Sequence, residues 1–237
     1  MTQNHAVIIL ASGLSQRLSQ AKQLLCKDGE TLIGYMIKLA LATEPQAIIV
    51  VIPSDHSLIA DVVAKLAAQH AIIHAAINVA PKIGMAHSLY LGIETLSHKV
   101  NCDSLTISRV LIMGVDQILL DEPHLIALLA TQQTVVASGY SSLGDVSNWQ
   151  DVGEKTAIKK TTSSQTPRKD IVGLPLAIDY ELLIQWQVLL TGDKGLRHLI
   201  RGLAPHQIST VKNYRLSYDI DTPSQLAHAR AQRWIDD

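Results

Sequence analysis

Phenylalanine is absent from this 237-residue chain, and aromatic residues of all kinds make up only 4% of it. Hydrophobic residues still account for 47%, so the core must be largely aliphatic, and stacking on a substrate ring would fall to Tyr or Trp. An excess of either charge is absent too, because the net charge is −1. This balance gives no electrostatic footprint for nucleic acid or an anionic membrane, and we expect neither as a partner.

Cysteine is scarce, and the two that occur, Cys26 and Cys102, do not have the spacing of metal ligands. We interpret them as reduced thiols. No apolar run approaches the roughly 20 residues that span a bilayer. The N-terminus also lacks the basic and apolar regions of a signal peptide. We therefore predict a cytoplasmic protein with a single domain over residues 1–237.

Short apolar runs alternate with segments of helical periodicity along most of the chain. Runs rich in β-branched residues predict buried strands, and apolar spacings of three to four predict amphipathic helices. The predicted strands cover residues 7–11, 47–52, 72–74, 109–114 and 134–138, and the predicted helices cover 31–43, 58–69, 84–96 and 122–130. This alternation predicts an α/β fold with a doubly wound, mostly parallel, Rossmann-like sheet.

A small-residue loop follows the first predicted strand and contains Ser12 and Gly13, with Arg17 and Lys22 behind it. Loops at the carboxyl ends of parallel strands bind ligands, and free N–H groups in such loops bind anions. The segment has neither a Walker motif nor a G-x-G-x-x-G fingerprint. From these residues alone, a polyphosphate site and an ordinary strand-to-helix loop with exposed cations both stay open.

Six motifs in a fixed order favour the first interpretation. They are L-A-x-G-x-S-x-R-x-x-x-x-K-x-L-L at residues 10–25, G-M-x-x-S-L-x-x-G-I at 84–93, D-Q at 116–117, G-L-P at 173–175, G-D-x-G-x-R at 192–197 and D-I-D-T-P at 219–223. Together they resemble the molybdopterin nucleotidyltransferase family, most closely its molybdenum cofactor cytidylyltransferases. The chain departs from that family at Ser12, Ser19, Ala21, Ala86, His87 and Ile118.

The resemblance implies Mg²⁺-dependent transfer of CMP from CTP to a molybdopterin-type acceptor, with release of pyrophosphate. A molybdoenzyme or its chaperone would be a further partner. Two alternatives stay open. One is a transferase of the same fold that uses GTP or a sugar-phosphate acceptor. The other is a non-catalytic nucleotide-binding accessory protein for molybdoenzyme maturation.

The resemblance also assigns site residues. The catalytic set is Arg17, Lys22 and Asp116, and the metal ligands are Asp116 and Asp221. The nucleotide-binding set is Leu10, Ala11, Ser12, Gly13, Ser15, Arg17, Lys22 and Ser88, and the acceptor-binding set is Gly173, Pro175, Asp193 and Arg197. From residue type alone, Asp116 fits a turn or helix N-cap, Asp221 fits an N-cap, and Ser88 fits a plain helix start. Asp193 and Arg197 equally fit an i,i+4 ion pair. We expect Lys22 to be an exposed cation that contributes little to the fold.

Residues 144–170 interrupt the alternating pattern with a segment rich in Thr, Ser and Lys. Against the family pattern it resembles an insertion. We predict a flexible surface loop, and a lid over the second substrate is the alternative.

Overall fold

A seven-stranded sheet forms the centre of the molecule in the computed structural model, which describes residues 4–141, 170–192 and 195–237. Its strand order is β5-β4-β1-β6-β8-β7-β9, and only β8 runs antiparallel to its neighbours. The strands are β1 His5–Leu10, β4 Ala47–Pro53, β5 Ile73–Asn78, β6 Arg109–Gly114, β7 Val135–Ser141, β8 Asp170–Asp179 and β9 Ile208–Lys212, with a separate short hairpin of β2 Cys26–Lys27 and β3 Glu30–Thr31.

Helices cover both faces of this sheet because successive strand residues point to opposite sides. The helices are α1 Leu32–Ala42, α2 Ser57–Gln69, α3 Met85–Asp103, α4 Glu122–Ala130, α5 Tyr180–Gln187, α6 Arg197–Ile200 and α7 Pro223–Ala231. In β1, Val7 and Ile9 pack in a core with α1, α2 and α4, whereas Ala6 and Ile8 pack in a second core with α3, α5 and α6. The predicted doubly wound, mostly parallel α/β fold is confirmed.

A third, smaller apolar cluster joins segments that are distant in sequence. It contains Leu18, Leu25, Ile118, Ile220 and Leu226, with other members from the same segments. Ile118, which stands where the resembled family has Pro, is fully buried in it. The cluster therefore holds residues 18–25 of the first motif, and the 219–223 motif, against the segment that follows β6.

The predicted elements before residue 139 are all present, with shifted ends. Strand β5 extends to Asn78 and helix α3 extends to Asp103, both beyond the predicted limits. Thr31 caps α1 by accepting a hydrogen bond from the Gly34 N–H. The predicted insertion at 144–170 lies outside the described residues except for Asp170, which begins β8. None of the described helices combines the length and the apolar character that crossing a membrane requires.

Candidate active site

The site lies at the carboxyl ends of the parallel strands, where ligands bind in open α/β sheets. Ser12 and Gly13 follow β1, Asn78 ends β5, and Asp116 follows β6. Gly114 leaves room for the Asp116 carboxylate, since a Cβ at Gly114 would lie 2.8 Å from Asp116 Oδ1.

Two cations and two carboxylates from three distant motifs meet beside Asp116. Lys22 Nζ lies 3.3 Å from Asp116 Oδ2 and 2.8 Å from Asp221 Oδ1. Arg17 Nη2 lies 2.6 Å from Asp221 Oδ2. The Lys22 side chain is only 10% exposed, so the expectation of an exposed lysine is wrong. It is buried because Lys22 begins a short 3₁₀ helix whose flanking leucines, Leu18 and Leu25, belong to the third apolar cluster.

The charged states of Lys22, Asp219 and Asp221 follow from their burial and from the charges beside them. Burial lowers the pKa of Lys22, but the carboxylates of Asp116 and Asp221 outweigh it, so the pKa is raised above the ordinary value. Burial raises the pKa of Asp221, but Lys22 and Arg17 outweigh it and hold the pKa below the ordinary value. Partial burial, then the charges of Asp116 and Asp221, raise the pKa of Asp219 to about 6. Lys22 and Asp221 are thus both charged at neutral pH.

The N-cap interpretation of Asp221 does not hold. Thr222 is the N-cap of α7, and its Oγ1 accepts a hydrogen bond from the Gln225 N–H at 3.3 Å. Asp121, not Asp116, caps α4. Both Asp116 and Asp221 therefore have side chains available for the ion-paired cluster.

A cavity of about 290 Å³ opens beside the loop after β1. Leu10, Ser12, Gly13 and Ser88 line it, together with Lys22 and Asp116. Ala11 is buried, and Gln23 Nε2 donates to its carbonyl at 2.7 Å and to the Gly13 carbonyl at 2.8 Å. Gln23 therefore fixes the loop after β1. The two loop carbonyls that it binds are less available to a ligand.

A wider cleft of about 630 Å³ continues from this cavity toward the charged cluster. Ser15, Arg17, Lys22 and Asp221 line it, and Lys82 from the 3₁₀ helix Pro81–Ile83 lies on the same lining. The Ser15 hydroxyl accepts a hydrogen bond from the Lys22 N–H at 3.2 Å. Three cations on one open cleft suit a polyphosphate.

A third cavity of about 550 Å³ lies on the other side of Asp116. Half of its lining residues are aliphatic or Met, and its polar groups include Gln117, Tyr140 and Asp219 near Asp116, Arg197 and His198 from α6, and Arg201 directly after α6. Gly173 lines it too, and a Cβ there would lie 2.5 Å from Tyr140 Oη, so a larger residue would collide. Gln117 Nε2 donates to the Leu174 carbonyl at 2.5 Å.

The structure brings most of the predicted site residues together, with two exceptions in the acceptor set. Pro175 is buried, follows a cis peptide bond, and accepts a hydrogen bond from Ser138 on its carbonyl instead of lining the cavity. Asp193 lies outside the described residues.

Sequence reasoning missed four polar residues that line the site or hold its parts: Gln23, Asn78, Lys82 and Tyr140. Gln23 could have been found from the sequence, because it is a polar residue inside the first motif and directly follows Lys22. Asn78 is a polar residue at the end of an apolar strand, which is a signal for a buried role.

Comparisons with known proteins agree with this geometry. The model of the MobA-like NTP transferase domain matches residues 7–210. No curated protein is similar enough in sequence to be matched. Among solved structures, Rv0371c from Mycobacterium tuberculosis H37Rv is 19% identical with a TM-score of 0.64, and the alignment covers 96% of this chain and 97% of that one.

Two further solved structures share the fold at lower identity. The 4-diphosphocytidyl-2C-methyl-D-erythritol synthase from Anaerococcus prevotii DSM 20548 is 16% identical with a TM-score of 0.67, covering 98% of this chain and 96% of that one. A nucleotidyl transferase from Methanothermobacter is 16% identical with a TM-score of 0.68, covering 97% of each chain. Because the family model spans most of the sequence, this chain belongs to the MobA-like NTP transferase domain family.

Proposed function

We propose that this chain transfers CMP from CTP to a molybdopterin-type acceptor and releases pyrophosphate. The main support for this proposal is that two cavities adjoin at Asp116. The cavity beside the β1 loop and the cavity beside α6 are both lined by Leu10, Asp116 and Leu174. A nucleotide in the first and an acceptor in the second would meet beside Asp116. Family membership supports the nucleotide, and the motif resemblance supports cytidine and the acceptor.

In this reaction an oxygen of the acceptor phosphate attacks the α-phosphorus of CTP. A new P–O bond forms, the bond between the α-phosphorus and the bridging oxygen breaks, and its electron pair leaves with pyrophosphate. The attacking phosphate is already ionised near pH 7, so no general base is needed. Positioning and charge stabilisation supply most of the catalysis in such transfers.

The cations of the wide cleft would offset the charge of the triphosphate. Arg17 is 71% exposed, so its planar guanidinium is free to turn from Asp221 to a phosphate and bind it through two N–H groups. Lys22 places a compact ammonium beside both carboxylates. Lys82 adds a third cation to the lining of the cleft.

Asp116 and Asp221 would hold the Mg²⁺ ion. Both carboxylates contact Lys22 Nζ, so they lie close together, and an ion would bind beside the ammonium and not at its position. Within the described ranges, no group of three or more His, Cys, Asp or Glu suits a metal ion. Mg²⁺ is commonly bound by one or two carboxylates plus water and substrate phosphates, so a two-carboxylate site fits it. When bound, the ion would stabilise charge on the transferring and departing phosphates.

The cavity beside α6 suits a ring-containing acceptor that carries polar groups. Its apolar side chains can pack against a ring, and Gln117, Tyr140 and Asp219 can bond to polar groups at the edge of the ring. Arg197 and Arg201 suit the acceptor's phosphate. A molybdoenzyme or its chaperone as a recipient of the product stays a prediction from the resemblance.

Two measurements test this function. Thermal shift with Mg²⁺ and each of CTP, GTP, ATP and UTP should give the largest rise in Tm with CTP. Pyrophosphate release should then require both CTP and molybdenum-bound molybdopterin. A larger rise with GTP would favour the GTP-using alternative. Nucleotide binding without pyrophosphate release would favour the non-catalytic accessory protein.

A further inference from the structure

Gln23 is a fully buried polar residue whose amide holds two peptide groups of the loop after β1. It is 1% exposed, and its Nε2 donates to the Ala11 carbonyl at 2.7 Å and to the Gly13 carbonyl at 2.8 Å. These two bonds use both protons of Nε2. They also fix which way the amide faces, because the reversed amide would bring Oε1 against two carbonyl oxygens.

The direction of each held carbonyl determines the direction of the N–H that follows it. A trans peptide group is planar, and its C=O and N–H point in opposite directions. Within the described ranges, the one cis peptide bond precedes Pro175, so both peptide groups held by Gln23 are trans. The N–H groups of Ser12 and Leu14 therefore point away from Gln23.

The Leu14 N–H lies on the side of the loop that faces the wide cleft. Gly13 and Leu14 both line that cleft, whereas the buried Gln23 side chain is not part of its lining. The same cleft is lined by the three cations Arg17, Lys22 and Lys82. A phosphate attracted there by the cations would therefore meet this N–H as well.

The backbone N–H groups of this loop are available to a ligand. The Ala11 N–H donates to the Val51 carbonyl at 2.9 Å, but from Ser12 to Arg17 no backbone N–H donates to another described residue. Gln23 meanwhile binds the Ala11 and Gly13 carbonyls, whose oxygens would repel an anion. Free donors without competing acceptors favour an anionic ligand.

We propose, on the basis of the proposed nucleotidyl transfer, that Gln23 is a positioning residue for the triphosphate. By holding the Gly13 carbonyl on the inner side of the loop, it directs the Leu14 N–H toward a phosphate oxygen of the nucleotide. Gln23 acts through the loop and not by contact with the phosphate. Without its amide, the peptide group between Gly13 and Leu14 is free to turn, and a carbonyl oxygen turned to the cleft would repel the phosphate.

The direct test is Gln23→Met, which keeps the length of the side chain but cannot donate to either carbonyl. Isothermal titration with Mg²⁺ would use CTP and, separately, inorganic tripolyphosphate. The affinity for each should fall at least about tenfold, the effect of losing one charge-assisted hydrogen bond. The stoichiometry should stay that of the wild type, whereas unfolding of part of the protein would lower the stoichiometry instead. The control is Gln69→Met at an exposed glutamine of α2, which should bind both ligands as the wild type does.

A second variant removes the N–H and leaves Gln23 in place. An ester in place of the Leu14 amide, introduced with the α-hydroxy analogue of leucine, has an oxygen where the N–H was. It should also weaken tripolyphosphate binding at least about tenfold. Gln23→Met should then weaken binding less in the ester protein than in the wild type, because the two changes remove the same interaction.

Steady-state kinetics distinguish positioning from a general structural role. In Gln23→Met, the KM for CTP should rise while the KM for the acceptor stays the same. A general loosening of the site would change both, because the two cavities adjoin at Asp116.

The contradicting results separate this inference from the proposed function. Unchanged tripolyphosphate affinity in Gln23→Met or in the ester protein would overturn the inference alone. So would a loss confined to CTP, which would assign the effect of Gln23 to the base, or effects that multiply fully when the two changes are combined. A wild type that binds CTP and tripolyphosphate but releases no pyrophosphate with the acceptor would overturn the proposed function alone. A wild type that binds neither ligand would overturn both.

Discussion

At the scale of single residues, the site has more carboxylates than cations paired with them, and this excess of negative charge affects their ionisation. Asp116, Asp219 and Asp221 lie within electrostatic reach of one another, and Lys22 and Arg17 pair with only two of them. Burial, and then the charges of Asp116 and Asp221, disfavour the charged form of Asp219 and raise its pKa from an ordinary value of 3.8 to about 6.

Asp219 should therefore make stability depend on pH. A raised folded-state pKa means that the folded chain binds this proton more tightly than the unfolded chain does. The contribution is present in full below about pH 4 and is lost as pH rises through 6. In the presence of EDTA, the Tm of Asp219→Asn minus that of the wild type should grow between pH 4 and 7. Asp61→Asn, an exposed carboxylate on α2, should show no such trend. A constant Tm difference for Asp219→Asn would contradict this account.

Serine is an unfavourable residue type for the backbone conformation at position 19. Its φ of 59° lies in the left-handed region, where L-residues other than Gly are strained by about 1–2 kcal/mol. The resembled family has Gly at this position, which is the residue that the conformation favours.

Ser19→Gly should accordingly raise the free energy of unfolding by about 1 kcal/mol, because relief of strain exceeds the added flexibility of the unfolded chain. Urea denaturation measures the change. Ser54→Gly is the matched control, since Ser54 is an exposed serine in the turn after β4 without a positive φ, and it should give no gain. Equal effects of the two substitutions would refute the strain argument.

The charged residues of the site could be identified from motifs, but their surroundings could not. Arg17, Lys22, Asp116 and Asp221 lie together as their motifs imply. The burial of Lys22 depends on the third apolar cluster, which draws on residues from both ends of the chain, and no local pattern reports such contacts. The Gln23 and Asn78 hydrogen bonds arise for the same reason, from tertiary contacts across 10 to 66 positions.

At the scale of elements, the close approach of α3 to the sheet positions Ser88 on the lining of the cavity beside the β1 loop. Gly92 makes this possible, because a Cβ there would lie 2.8 Å from Ile8 Cγ2 and 3.1 Å from Val51 Cγ2. Ser88 precedes Gly92 by about one turn of the same helix. Any displacement of α3 from β1 would therefore move Ser88 as well.

Gly92→Val should destabilise the fold by at least about 2 kcal/mol, because overpacking a well-filled core forces side chains and backbone to shift. Denaturant unfolding gives the change, and CTP affinity should fall in the protein that remains folded. Glu94→Val puts the same side chain on an exposed position of the same helix and should have little effect on either. If Gly92→Val were as stable as the wild type, α3 would not be packed as closely against β1 and β4 as the structure indicates.

Periodicity predicted the elements before residue 139 but not those that follow it. The buried strands β1, β4 and β6 are apolar apart from His5 and Arg109 at the first positions of β1 and β6, and such runs can be identified in the sequence directly. Strand β8 contains Gly173 and Pro175 and pairs antiparallel with β6 and β7, so its pattern differs from the parallel strands around it. Edge strand β9 is half-exposed and polar, and its local sequence does not distinguish it from a loop.

At the scale of the whole molecule, residues 142–169 join two strands whose ends are already paired. Ser141 pairs with Asp170 in the antiparallel register of β7 and β8. Replacing 142–169 by a short Gly/Ser linker should therefore preserve folding and nucleotide binding, because the strand ends need only a hairpin connection. Circular dichroism and CTP titration check this. If the segment is also a lid, the KM for the acceptor should rise while the KM for CTP stays the same. Loss of folding would show that the segment belongs to the core.

We propose that Asp116 and Asp221, with Lys22 between them, form one centre for nucleotidyl transfer. The most direct measurement is pyrophosphate release from CTP with Mg²⁺ and molybdenum-bound molybdopterin, compared among the wild type, Asp116→Asn and Asp221→Asn. Each variant should turn over at least roughly 10²-fold more slowly, which is the usual effect of removing a preorganised charge-stabilising group. Asp61→Asn should be as active as the wild type. Wild-type rates in either Asp116→Asn or Asp221→Asn would contradict the account.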